Sequence, residues 1–135
     1  MTAIADTGFF VAFLNSRDRH HRWAVEVGEQ ITQPVLTCEA VLTETAYLLN
    51  SVPLVIELLE SGLLEVQFNL AANRSHVARL AVRYADLQPD LCDLCVVRMS
   101  ELLPNHRVIT TDRRDFSVYR RNQRDVIPLL CPPEA

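Results

Sequence analysis

The chain has 135 residues, within the ~100–200 typical of one domain and long enough to bury a core without disulfide or metal staples. Hydrophobic residues make up 49% and charged residues 22%, and three glycines with seven prolines are too few for a disordered or fibrous chain. All 13 basic residues are Arg, against 17 acids, and the net charge of −4 argues against nucleic-acid binding by the whole surface; yet Arg113 to Arg124 holds five Arg and one Asp, a local +4 that leaves −8 elsewhere.

Ala3 to Ala5 read as a short apolar strand ending at Asp6-Thr7-Gly8, and Phe9 to Leu14 as the helix that follows it. A second helix is predicted over Asp18 to Ile31. Pro34 precedes a strand at Val35 to Thr37, and Glu39 to Leu49 is a run of good helix formers. A helix follows at Val55 to Ser61 with Gly62 as its stop, then a strand near Leu64 to Phe68 and a long helix from Leu70 to Tyr84. Beyond Pro89 come a helix over Leu91 to Leu103, a turn at Pro104-Asn105, a strand at Arg107 to Thr110 and a last strand near Val126 to Leu129. Strands alternating with helices in this way predict an α/β fold with a mainly parallel sheet wrapped by helices. Residues 1–130 read as one domain and Cys131 to Ala135 as a short tail.

No apolar run approaches the ~18–20 residues of a membrane helix, and no basic segment leads into an apolar core at the N-terminus, so a cytoplasmic location without membrane contact is expected. Cys38, Cys92, Cys95 and Cys131 are then expected as reduced thiols. Cys92-x-x-Cys95 lacks the second ligand pair of a usual zinc site, and no glycine loop exists to cradle a nucleoside triphosphate.

Four carboxylates stand in awkward places. In an open parallel sheet ligands gather at the carboxyl ends of strands, and Asp6 and Asp112 each follow a strand directly. Glu44 lies among Ala40, Val41, Tyr47 and Leu48, its neighbours three and four residues away, so helical periodicity turns it towards the core. Asp93 sits in the first turn of its helix beside Val96 and Val97. Each has a plain reading: Asp93 as a first-turn acid, Asp6 and Asp112 as turn residues or helix caps, Glu44 as partner to a distant Arg; Asp90 beside them reads as a helix cap. Together they demand compensation, since burying an unpaired carboxylate costs several kcal/mol. A hard divalent cation, Mg²⁺ or Mn²⁺, supplies it through oxygen ligands and would hydrolyse phosphodiesters.

These residues carry a family resemblance over nearly the whole chain. Ile4-Ala5-Asp6-Thr7-Gly8, Val41-Leu42-Thr43-Glu44, Tyr84-Ala85-Asp86-Leu87 with Asp90-Leu91-Cys92-Asp93, and Val108 to Phe116 (VITTDRRDF) resemble, in this order and spacing, the PIN-domain family and more narrowly the VapC-type toxin ribonucleases of toxin–antitoxin pairs. The resemblance implies a three-layer fold with four or five strands, the first central. It also implies a pocket of Asp6, Glu44, Asp93 and Asp112 that binds Mg²⁺ or Mn²⁺ and catalyses endonucleolytic RNA cleavage. Leu94 departs from the Ala common after the third acid, and Cys92 and Cys95 flank that acid; neither removes a carboxylate. A small antitoxin that covers the pocket or inserts an arginine is implied as partner, and a homodimer through the apolar surfaces of the helices after Asp18 and Val52.

Around these acids, Thr7 and Thr111 either orient carboxylates and phosphate through their hydroxyls or cap turns. Asp115 reads as a supporting or surface acid. Arg113, Arg114, Arg120, Arg121 and Arg124, interleaved with Phe116 and Tyr119, read as an RNA-binding rim giving phosphate contacts and stacking; a solvated basic face or a dock for an acidic partner are the other readings. Arg17, Arg19, His20, His21 and Arg22 read as a solvated helix face. Two alternatives to the ribonuclease stand: a non-catalytic PIN-like binding or scaffold module, and a structure-specific DNA nuclease.

Overall fold

A computed structural model describes residues 1–134. In chain order the elements are β1 (Ala3–Ala5), α1 (Thr7–Leu14), α2 (His21–Glu29), β2 (Val35–Thr37), α3 (Glu39–Leu49), α4 (Val52–Glu60) and β3 (Leu64–Val66). A 3-10 turn at Ala71–Asn73 leads into α5 (Arg74–Arg83), and a second at Ala85–Leu87 precedes α6 (Leu91–Leu102). β4 (Arg107–Ile109), α7 (Arg113–Phe116), β5 (Arg120–Arg121), β6 (Asp125–Val126) and β7 (Leu129–Leu130) complete the fold.

Five strands form one sheet in the order β3-β2-β1-β4-β7, every pairing parallel, flanked by helices. The α/β expectation with a central first strand holds. Ala3, Ile4 and Ala5 are all buried, as an unbroken apolar strand in the middle of a parallel sheet must be. Its register pairs Ala5 with Ile109 of β4, and the Asp6 N–H continues the ladder by donating to the Ile109 carbonyl at 3.0 Å. The chain segments that leave β1 and β4 therefore start side by side at one sheet edge. β2 brings the start of α3 to the same edge, where the Thr37 hydroxyl donates to the Ala5 carbonyl at 3.0 Å.

Several boundaries differ from the sequence expectation for local reasons. α2 starts at His21 because Asp18 closes a turn: its side chain accepts from the His20 N–H at 2.8 Å and its carbonyl from His21 at 3.0 Å. α4 begins at Val52, capped by the Ser51 hydroxyl, with Pro53 in the first turn where no N–H is needed. Gly62, at φ +81°, ends the segment as expected. The last strand moves: Val126 turns back to pair antiparallel with Arg120 across Asn122 and Gln123, both at positive φ, while Leu129–Leu130 takes the sheet position. Pro128, which has no N–H, separates the two pieces and accepts from Val108 through its carbonyl at 2.8 Å.

The tail runs back along α7, where Pro132 is buried and its carbonyl accepts from Arg113 at 3.1 Å. Ala135 lies outside the described residues. Among those described, no helix is long and apolar enough to cross a membrane.

Candidate active site

The sheet edge opens into a cleft of about 430 Å³ lined by Asp6, Glu44, Asp93 and Asp112. The four acids singled out from the sequence thus meet, although they span more than a hundred residues. Asp18, Asp90 and Asp115 line the same cleft, making seven carboxylates with no basic residue among the lining. The ion pairs among the described residues, Arg98–Glu101 and Arg113–Glu134, lie outside it. Glu44 therefore has no distant Arg as partner.

Each acid is positioned by its own element. Asp6 follows β1 and is 5% exposed; its Oδ2 accepts from the Thr110 hydroxyl at 2.8 Å. Thr110, at the end of β4, also accepts from the Asp112 N–H at 3.0 Å, so one hydroxyl ties two acids together. Asp112 in turn caps α7 by accepting from the Asp115 N–H at 3.0 Å. Asp93 lies in the first turn of α6, whose cap is Asp90: the Asp90 carboxylate accepts from the Asp93 N–H at 2.8 Å. The Tyr119 hydroxyl donates to Asp93 Oδ2 at 3.1 Å from a buried ring packed edge-on against Tyr84 and Phe116, 5.0 and 5.2 Å between centroids.

Glu44 does not lie on a core-facing stripe. Periodicity placed it on a core stripe with Tyr47 and Leu48, but those two are 81% and 57% exposed, and α3 buries Val41 and Thr45 instead. Glu44 is half-buried and faces the cleft, which Leu48 also lines. Tyr47 and Leu48 belong to an apolar groove of about 1140 Å³ between α3 and α4.

The electrostatics follow from burial without cations. Burial pushes the Asp6 carboxyl up to about 6 against the lowering effect of the Thr110 bond, and the charges of Glu44 and Asp90 add to the rise. Burial pushes Asp93 up to about 8, with Asp90 and Asp6 next in effect. The Tyr119 hydroxyl is raised by burial and by Asp93, so it remains a donor. Burial also raises the Cys92 thiol to about 12, which keeps it protonated beside Glu44 and Asp90.

The donors fit a hard divalent cation. One ligand oxygen each from Asp93, Asp112 and Asp115 lie within 4.8 Å of one another, and ligand atoms of Glu44, Asp90 and Cys92 do the same. Thr7 adds a buried hydroxyl with no hydrogen-bond partner in the cleft wall. Uncompensated oxygen donors are what such an ion would satisfy.

A PIN-domain family model matches residues 3–122. The chain belongs to the PIN-domain family. No curated protein matches it. PIN domains are generally metal-dependent nucleases, and the acidic cluster here holds the donors for a divalent metal.

Within this PIN domain other residues fall differently from the sequence reading. Thr110, rather than Thr7 or Thr111, makes the orienting bonds; Thr111 lines the cleft wall, packed so close to Gly8 that a Cβ there would clash with its hydroxyl. Asp115 lines the cleft, which agrees with its reading as a supporting acid and not with the surface one. Phe116 and Tyr119 are fully buried and cannot stack on a base, because they form the support under Asp93.

The arginine segment divides. Arg113 and Arg114 open α7 beside Asp112, whereas Arg120 donates to the Ser117, Val118 and Tyr119 carbonyls. Arg121 donates to the Pro104 carbonyl at 2.6 Å, just past the end of α6 opposite to Asp93. The sequence reading passes over Thr110, which carries no charge and whose available signal is a hydroxyl two residues before a strand-end acid, and takes Tyr119 for a stacking ring because nothing local marks it as the donor to Asp93.

Proposed function

We propose that this PIN domain is a metal-dependent endoribonuclease, the toxin of a toxin–antitoxin pair. The observation that carries the nuclease reading is the gathering of Asp6, Glu44, Asp93 and Asp112 in one cleft without a basic partner. The order and spacing of the VapC-like motifs support RNA as the substrate. Asp93 and Asp112 would hold Mg²⁺ or Mn²⁺ through carboxylate oxygens, with Asp115 in reach of the same position, and Asp6, in the same cleft and tied to Asp112 through Thr110, would complete the set. The bound ion supplies Lewis acidity: it lowers the pKa of water and offsets charge developing on a phosphodiester.

Glu44, which lines the same cleft beside Asp90 and Cys92, would orient the attacking water and accept its proton. Thr110 holds Asp6 and the Asp112 backbone in register, and Tyr119 fixes Asp93, so the acids need little reorganisation when the ion binds. The apolar groove between α3 and α4 adjoins the acids through Leu48 and exposes Tyr47, Val52 and Ile56. It suits a helix of a small antitoxin or a second copy of the chain.

The test is incubation of a mixed cellular RNA pool with the purified chain and Mg²⁺ or Mn²⁺, beside EDTA and Asp6→Asn. Cleavage that requires metal and falls by at least ~100-fold in the variant is expected. Absence of cleavage from folded, partner-free protein with either ion would refute the ribonuclease, and cleavage confined to DNA would reassign the substrate.

A further inference from the structure

Seven carboxylates would repel the strand that this nuclease cuts. A second cleft, about 520 Å³, adjoins the first, and Thr111 lines both. Its walls carry Arg19, His20, Arg113 and Arg114. Arg19 and His20 come from the turn between α1 and α2, and Arg113 and Arg114 open α7 directly after Asp112. The fold thus joins two basic groups remote in sequence, and the reading of Arg19 and His20 as parts of a solvated helix face gives way: both precede α2.

The cations of this cleft are lightly held. Among the described residues the guanidinium groups of Arg19 and Arg114 have no hydrogen-bond or ion-pair partner, and both residues are exposed. Arg113 is anchored by one bond to the Pro132 carbonyl at 3.1 Å, and its Nε pairs with Glu134 of the tail at 3.3 Å, with side chains 46% and 78% exposed. An ion pair so open to water is weak and readily exchanged. A carboxylate therefore already stands where an anion fits.

We propose that Arg19, Arg113 and Arg114, with His20, form a phosphate subsite for the polynucleotide strand, taking a phosphodiester near the one that lies over the acids, and that Glu134 occupies this subsite until the strand displaces it. The proposal rests on the nuclease reading of the adjoining cleft and names how its substrate is held. The planar guanidinium fork matches phosphate oxygens, and a basic cleft sharing a wall with a metal-loaded acidic one gives a strand two successive anchoring points. Phosphate is common to RNA and DNA, so the subsite itself is indifferent to the sugar.

The test uses fluorescence anisotropy with a labelled single-stranded RNA and the DNA of the same sequence, on the full chain carrying Asp6→Asn so that the strand stays intact. Arg19→Gln or Arg114→Gln is expected to weaken binding several-fold and to reduce the slope of log K against log salt by about 0.7 for each lost phosphate contact. Glu134→Gln is expected to tighten binding several-fold; its exposure excludes an effect through misfolding. Similar changes with RNA and DNA support a phosphate subsite, whereas a loss confined to RNA would overturn it in favour of a sugar contact.

The subsite falls if the arginine variants bind as their parent does, if Glu134→Gln fails to tighten binding, or if neither strand binds. Cleavage by the chain with native Asp6, and with it Arg19→Gln, keeps the two readings apart. Full cleavage with unaltered binding in the arginine variants would remove the subsite and leave the nuclease. Weakened binding by a chain that never cleaves would do the reverse.

Discussion

The Thr110 hydroxyl donates to Asp6 and accepts from the Asp112 N–H, so a neutral side chain holds together acids that would otherwise push apart. Thr110→Val keeps the shape and leaves a buried carboxylate oxygen and an N–H without their partner, at a cost of about 1–3 kcal/mol. Cleavage is expected to fall ~10–100-fold, in line with lost support of a metal ligand, and Thr110→Ser to recover most of it. Thermal melts beside cleavage rates check this; full activity in the valine variant would show that Thr110 orients nothing. Asp6→Asn should act oppositely on stability: its carboxyl is buried, faces no cation and is pushed up to about 6, so the amide is expected to melt no lower than wild type in the absence of metal while cleavage disappears.

At the scale of elements, α6 carries Asp93 into the cleft, and its first turn is fixed by the Asp90 cap. Asp90→Ala is expected to cost about 1 kcal/mol, whereas Asp90→Asn, which still accepts from the Asp93 N–H, should stay within a few tenths in chemical denaturation. Equal losses in the two would mean that the charge of Asp90, not its cap, matters to the fold. α3 teaches a different lesson. Its apolar residues do not all face the core: Val41 does, while Tyr47 and Leu48 lie open on the side shared with α4. Helical periodicity reports which residues share a face and is silent on whether a neighbouring element covers it.

For the whole molecule, charge decides how stability depends on pH. Asp6 and Asp93 rise on folding from 3.8 to about 6 and about 8. The native state thus binds more protons than the unfolded chain between these values, and the stability this contributes is complete below about 4 and lost as pH rises through about 6 and then 8. The metal-free protein is expected to melt at falling temperature from about pH 5 to about pH 9. Mg²⁺ or Mn²⁺ should raise the melting temperature most at the alkaline end, because the ion binds the deprotonated acids and favours the state they form. A melting temperature that climbs with pH in metal-free buffer would contradict the absence of cations in the cleft.

The alternation of strand and helix and the strand-end acids Asp6 and Asp112 were legible in the chain itself, because each depends on local pattern: apolar runs, helix formers, and a carboxylate directly after a strand; the central place of the first strand and the grouping of Glu44 and Asp93 with those acids came from the family resemblance. Only the tertiary structure decided what meets across elements. Parallel pairing of β1 with β4 puts Thr110 against Asp6; the buried cluster of Tyr84, Phe116 and Tyr119 lifts a hydroxyl to Asp93; the turn before α2 brings Arg19 to Arg114. The split of the arginine segment, with Arg120 and Arg121 bound to backbone carbonyls, belongs to the same class. A sequence records the spacing of side chains along one element, whereas the partners of a hydroxyl or a guanidinium are set by which strands are neighbours and which helix ends share an edge.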